Sequence, residues 1–92
     1  MKGNAERWRV RFYGKVQFVG FRHTAMLLAR QLDLSGWVRN MPDGSVLLEA
    51  QGQTSVLRQM LIRLKCRPPI HIEKAVIRVI PPEPGERSFR IG

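Results

Sequence analysis

Apolar and polar residues alternate at every step in Trp8-Arg9-Val10-Arg11-Phe12-Tyr13. A period of two sends successive side chains to opposite faces. The segment therefore reads as a half-buried strand, with Trp8, Val10 and Phe12 inward and Arg9, Arg11 and Tyr13 outward. Further along, the period changes: Ala25, Leu28, Ala29 and Leu32 recur at helical spacing, the stripe of an amphipathic helix that ends across Asp33 to Gly36. A second strand runs from Gly36 to Asn40. Met41-Pro42-Asp43-Gly44 is a turn, because proline fixes φ and Asp-Gly favours a tight reversal. The third strand, Ser45 to Gln51, points Val46, Leu48 and Ala50 inward. Thr54 is the expected N-cap of a second helix with the stripe Leu57, Met60, Leu61 and Leu64. Arg67-Pro68-Pro69 breaks that helix. A fourth strand spans about Ile72 to Ile80, Pro81-Pro82-Glu83-Pro84-Gly85 is a loop, and Ser88 to Ile91 is a short final strand.

The order is β-α-β-β-α-β with a tail strand, without repeats or low-complexity segments. Each helix has one apolar stripe and the strands alternate, so both helices must cover one face of an antiparallel sheet while the other face meets water. This predicts an α+β, ferredoxin-like sandwich, a single domain over residues 1–92 with its ordered core at about 7–91. Such a fold hosts many functions, so function has to be read from a site.

Composition narrows the classes. With 92 residues and 43% apolar content the chain can build one core and is not a disordered segment. Sixteen Lys and Arg against seven Asp and Glu give a formal net charge of +9, which favours anionic partners: phosphorylated metabolites, nucleic acid or acidic surfaces. Cys66 is the only cysteine, so no intrachain disulfide forms and a reducing compartment suits the chain. The first seven residues lack the apolar run of a signal peptide, and no segment reaches the roughly 18 apolar residues of a membrane span. A cytoplasmic protein without membrane partners is expected.

The stretch between first strand and first helix, Gly14-Lys15-Val16-Gln17-Phe18-Val19-Gly20-Phe21-Arg22, has the makings of an anion site. Free N–H groups at a helix start, aligned with the helix dipole, favour a bound anion. Gly14 and Gly20 let the backbone bend so that further N–H groups converge. Arg22 adds a planar donor fork suited to a phosphoryl group. A second stretch, Gly36-Trp37-Val38-Arg39-Asn40 followed by Gly44, Val46 and Gly52, ends its strand with a neutral amide, Asn40, able to orient a water. Arg39 alternates to the opposite face.

Taken together, these two stretches resemble the acylphosphatase family. The first has the form G-x-V-Q-G-V-x-F-R, and the second the form G-aromatic-V-basic-N-x-x-x-G-x-V with a later glycine. The resemblance covers about Arg7 to Ile91. It implies hydrolysis of the carboxyl-phosphate bond of acyl phosphates, with Lys15, Val16, Gln17, Phe18, Val19 and Gly20 as the phosphate-binding loop, Arg22 as the phosphate-binding arginine and Asn40 as the residue that positions the attacking water. No cofactor and no metal are expected, and inorganic phosphate or sulfate should bind as product or inhibitor, to a monomer. The chemistry agrees: a carboxylate leaving group has a conjugate-acid pKa of about 4, so it departs without a general acid.

Three positions depart from the family pattern. Phe18 stands where the family has glycine, Asp33 where a helix-ending glycine is usual, and Leu47 where an acidic residue is usual. His23 reads as an exposed helix-start histidine, His71 has no evident partner, Cys66 reads as inert, and most basic residues read as solvated surface. A competing reading from another class is a nucleic-acid-binding ferredoxin-like module, supported by the net charge and by Arg9, Arg11, Tyr13, Lys74 and Arg78 on the uncovered sheet face. RNA-binding sheets of this fold stack bases on two or three aromatics. Tyr13 is the only one this reading finds there, so nucleic acid ranks well below acyl phosphate as a partner. A third reading is a non-catalytic anion-binding relative in which Phe18 has spoiled the cradle.

Overall fold

Alternation carries the first strand beyond the six residues that display it. β1 spans Ala5–Lys15, α1 Phe21–Gln31, β2 Ser35–Asn40, β3 Val46–Gln53, α2 Thr54–Lys65, β4 His71–Ile80 and β5 Phe89–Ile91. The computed structural model describes residues 5–92; residues 1–4, included in the expected 1–92 domain and in the segment read as lacking a signal peptide, lie outside that range. Among the described residues, no helix is long and apolar enough to cross a membrane.

The strands form one sheet in the order β4-β1-β3-β2-β5. β1 is antiparallel to β3 and β4, and β2 is antiparallel to β3, but β5 runs parallel to β2. The sheet is therefore mixed rather than wholly antiparallel. β4 and β5 are neighbours in sequence yet occupy opposite edges, so the connection must cross the end of the sheet. A chain leaving β4 at the end where β2 begins runs alongside β2, not against it.

Both helices cover one face, as the stripes require. Ala25, Leu28 and Ala29 of α1 and Leu57, Met60 and Leu64 of α2 are buried with Val10, Phe12, Val38, Leu48 and Ala50 of the sheet. Phe89, fully buried, holds β5 to the same core, and Arg30 Nη2 donates to the Phe89 carbonyl at 3.3 Å. Leu32 and Leu61, expected in the stripes, lie at the margin of the core. The first helix closes with Asp33 at φ 60: the Leu34 N–H donates to the Ala29 carbonyl and the Asp33 N–H to that of Arg30. This is the pairing of a Schellman motif, with aspartate in the left-handed position. At the second helix the cap position belongs to Gln53, not Thr54. Thr54 is the first helical residue, and its hydroxyl donates to Glu6 at 3.4 Å.

The uncovered face holds the largest surprise. Arg7, one of the basic residues expected in solvent, is 1% exposed. Its Nε donates to Glu49 at 2.8 Å, and its Nη1 donates to Glu86 at 2.7 Å and to Gln51 at 3.3 Å. The β4–β5 connection makes this enclosure. It brings Glu86 onto Arg7, while Gln51 accepts from the Glu83 N–H at 2.7 Å. Glu49 also accepts from Arg9 at 2.8 Å. Burial alone would push the Glu49 carboxyl up, but the hydrogen bonds and charges of Arg7 and Arg9 outweigh it and hold the group below its usual range.

Candidate active site

β1 releases the chain at Lys15, and residues 16–20 turn it into α1. Phe21 fixes where the helix begins: its buried ring packs against Phe12 of β1 with centroids 4.9 Å apart. Gly20 occupies the N-cap at φ 79 and offers no side chain to cap the helix. The first intrahelical bond runs from the Thr24 N–H to the Gly20 carbonyl at 3.0 Å, so the N–H groups of residues 21–23 have no intrahelical acceptor. Among the described residues, no backbone bond outside the helices and the sheet uses a donor from residues 16–19. The loop and the helix start thus present a row of uncommitted donors, the arrangement that suits an oxyanion.

The two glycines of the stretch do different work. A side chain on Gly14 would collide with the His71 carbonyl and the Glu73 N–H, at the register shift where β1 leaves β4. Gly14 therefore serves the strand pairing rather than the cradle expected of it. A side chain on Gly20 would meet nothing within 4 Å, so only its backbone conformation demands glycine.

Phe18 adopts φ 62, and its ring is 97% exposed. The left-handed conformation costs a non-glycine residue about 1–2 kcal/mol. The loop keeps that conformation and turns the ring outward.

A cavity of about 260 Å³ opens here, lined by Val16, Phe18, Gly20, Phe21, Arg22, His23, Asn40 and Ile91. Of the residues singled out in the sequence, it brings together Val16, Phe18, Gly20, Arg22 and Asn40. Lys15, Gln17 and Val19 do not line it. Lys15 is the exposed last residue of β1, and Val19 packs against the core. Gln17 faces the β2–β3 turn, where its Nε2 donates to the Met41 carbonyl at 2.8 Å and to the Ser45 carbonyl at 2.9 Å. That turn is itself fastened: the Met41 N–H donates to the Ser45 carbonyl at 2.8 Å, and the Ser45 N–H and hydroxyl both donate to Asp43. The Ser45 bonds, then the Arg11 charge, hold the Asp43 carboxyl below its usual range.

Arg22 sits in the first turn of α1, exposed, and no hydrogen bond or ion pair holds it among the described residues. Asn40 ends β2 opposite Val46. The two are far apart in the chain, yet they share one small cavity with the uncapped helix start. Ile91, contributed by the tail strand, went unnoticed in the sequence because only the parallel β2–β5 pairing brings it to this end of the sheet. Among the described residues, no group of three or more His, Cys, Asp and Glu side chains converges as metal ligands would.

Comparison with known proteins points the same way as the site. A family profile described as Acylphosphatase matches residues 8–91. An acylphosphatase of Pediococcus pentosaceus is 44% identical over 70 residues, covering 74% of this chain and 78% of that one. One from Polaromonas naphthalenivorans is 41% identical over 86 residues, covering 92% and 84%. The crystal structure of the Bacillus subtilis acylphosphatase superposes with a TM-score of 0.88 at 28% identity, over 97% of this chain and 99% of that one. A profile match over nearly the whole sequence, relatives at this identity and a shared fold together establish that the chain belongs to the acylphosphatase family.

Proposed function

We propose that the cavity between the 16–20 loop, α1 and the end of β2 hydrolyses acyl phosphates, with the roles divided as follows. The uncommitted N–H groups of the loop and helix start, together with the Arg22 guanidinium, hold the phosphoryl oxygens. The Asn40 amide holds a water for in-line attack on phosphorus. The water oxygen forms the new P–O bond as the bond to the acyl oxygen breaks, and the carboxylate leaves with the electron pair. The water proton passes to the phosphate product or to solvent. Charge develops on the phosphoryl oxygens and on a leaving group of low basicity, so positioning and preorganised donors supply the catalysis. No step calls for a general acid or a metal ion.

The observation that carries this reading is the single cavity shared by Arg22, Asn40 and the uncapped start of α1. A monomer is the state proposed, since the roles assigned to Arg22, Asn40 and the loop call on no second copy. A cytoplasmic setting, where acyl phosphates and reducing conditions coexist with one free cysteine, fits the same reading. Inorganic phosphate, the product, should compete with substrate and raise thermal stability as its concentration passes Kd.

The test uses an aryl acyl phosphate and an aryl phosphate monoester, each with and without chelator. Fast hydrolysis of the first, untouched by chelator, and negligible hydrolysis of the second are expected. Equal rates on both, or loss in chelator, would show the mechanism to be wrong. Asn40→Ala tests the water: kcat should fall about a hundredfold with KM nearly unchanged, since orienting water matters only on the way to the transition state.

A further inference from the structure

The pocket uses little of the chain's positive charge. Much of the remainder lies on the sheet face that the helices leave bare. Register places Arg90, Trp37, Glu49, Arg9 and Arg78 side by side in one row across all five strands. The next row sets Arg39 and Arg11 on either side of Leu47, and the one beyond pairs Tyr13 with Lys74. These cations outnumber the carboxylates of the face. Glu49 is enclosed between Arg7 and Arg9, Asp43 at the turn lies 3.5 Å from Arg11, and Glu86 is taken by Arg7.

Trp37 changes the weight of the nucleic-acid reading, which rested on Tyr13 alone. Val38 is buried on the helix side, so Trp37 must face outward, and its ring carries the Arg39 guanidinium 4.3 Å from the centroid. Tyr13 carries Lys74 Nζ at 5.7 Å. Tyr13 lines a shallow depression of about 320 Å³ with Arg9, Arg11, Leu47, Val76 and Arg78, and Trp37, with Arg39 over its ring, stands on β2, the strand beside the one that carries Leu47.

We propose that this helix-free sheet face binds single-stranded nucleic acid, in addition to the hydrolytic pocket and separately from it. The cationic rows match a phosphodiester backbone in charge. Strands about 4.8 Å apart spread the first row over roughly 19 Å, enough to meet several phosphates. The rings and the Arg39 guanidinium plane supply stacking surfaces that every base can use. A duplex offers the backbone charge but not free base faces: its bases are already stacked, and its grooves admit a helix or a two-stranded ribbon rather than a broad sheet.

The probe is a fluorescein-labelled mixed-sequence single strand of about 12 nucleotides, a length within the usual span of such sites. Its anisotropy is followed against salt, with the matching duplex, heparin and anionic phospholipid vesicles as competitors. If four or five phosphates are neutralised, affinity should fall about 50- to 130-fold between about 50 and about 200 mM salt. The single strand should quench tryptophan emission; Trp8 is 8% exposed, so the quench reports Trp37. The double variant Lys74→Gln/Arg78→Gln should weaken binding at least about tenfold and flatten the salt slope by about 1.4. Trp37→Leu should weaken single-strand binding about tenfold, leave heparin binding unchanged, and leave acyl phosphate hydrolysis at its original rate. Equal or tighter binding of the duplex, displacement of the strand by vesicles at matched charge, an absent quench on wild-type protein, or no binding at the lowest salt would each overturn the proposal.

Discussion

Two arginines of one strand-loop-helix unit, one near the start of the strand and one at the start of the helix, have opposite fates. Arg7, near the start of β1, is enclosed and donates to Glu49, Glu86 and Gln51. Arg22, in the first turn of α1, is exposed and has no internal partner among the described residues. The same guanidinium is committed to architecture at one end and left open for a ligand at the other. A buried charge must be paired or it destabilises the fold. An exposed one at the positive end of a helix dipole, beside a row of free N–H groups, costs the fold little in water and is ready for an anion.

The widest separation between the two should come from Arg22→Ala. Activity should fall at least about a thousandfold, because the clamp on the phosphoryl oxygens is lost, while thermal stability stays within about 0.5 kcal/mol of the parent. Chemical denaturation and steady-state kinetics on one preparation check both halves. Comparable losses in stability and activity would erase the distinction between the two arginines.

Arg7→Ala should show the reverse. Removing the guanidinium strands Glu49 beside a single remaining partner, Arg9, and should destabilise the fold by about 3 kcal/mol. Hydrolysis per folded molecule should be unchanged. If the rate per folded molecule fell as well, the buried network would be reaching into the pocket.

Acid should act chiefly on the Arg7 end, although the exposed Asp43 carboxyl at the β2–β3 turn is also held below its usual range. The Glu49 carboxyl is held below its unfolded value, so its stabilising effect is complete above the unfolded pKa of about 4.3 and is lost as pH falls through the folded one. Denaturation midpoints should therefore drop as pH is lowered past about 4, and this drop should be smaller in Glu49→Gln. An identical decline in the variant would move the acid sensitivity elsewhere.

The smallest effect is expected at Phe18, within the loop itself. Phe18→Gly relieves the left-handed strain but frees the unfolded chain, so stability should change by no more than about 1 kcal/mol in either direction. Phosphate affinity should be retained or improved, because the ring already points into solvent. A variant that folds normally and loses phosphate, followed by titration calorimetry, would assign the ring itself a part in shaping the cavity.

Much of this was legible in the chain because it depended on local periodicity. Alternation in Trp8 to Tyr13 and the stripes of the two helices dictate which faces are buried, and the helices can only lie where those faces point. Arg7 was not legible. In sequence it continues the pattern of Arg9 and Arg11, and what encloses it is a connection far along the chain that crosses the end of the sheet. The parallel orientation of β5 and the arrival of Ile91 at the cavity follow from that same crossing. Trp37 was legible in principle, since Val38 inward requires Trp37 outward, but an aromatic invites assignment to a core. In the candidate site, Arg22 and Asn40 stood out by residue type and spacing. Gln17 was named only as part of the phosphate-binding loop, and its bonds to two carbonyls reached across space were not legible.

That reach has a consequence for how the domain tolerates change. The Gln17 amide ties the loop of residues 16–20 to both ends of the Met41–Ser45 turn, and Asn40 is the residue immediately before that turn. The proposed anion cradle and the proposed water holder are thus spliced by one side chain, although the chain between them runs through a helix and a strand. Hairpin tips are ordinarily where insertions do least harm. Here an added residue would pull a carbonyl off Gln17 and shift the cradle against Asn40. The turn that looks most expendable on the surface behaves as a spacer gauge, and its length is as much a part of the site as the arginine.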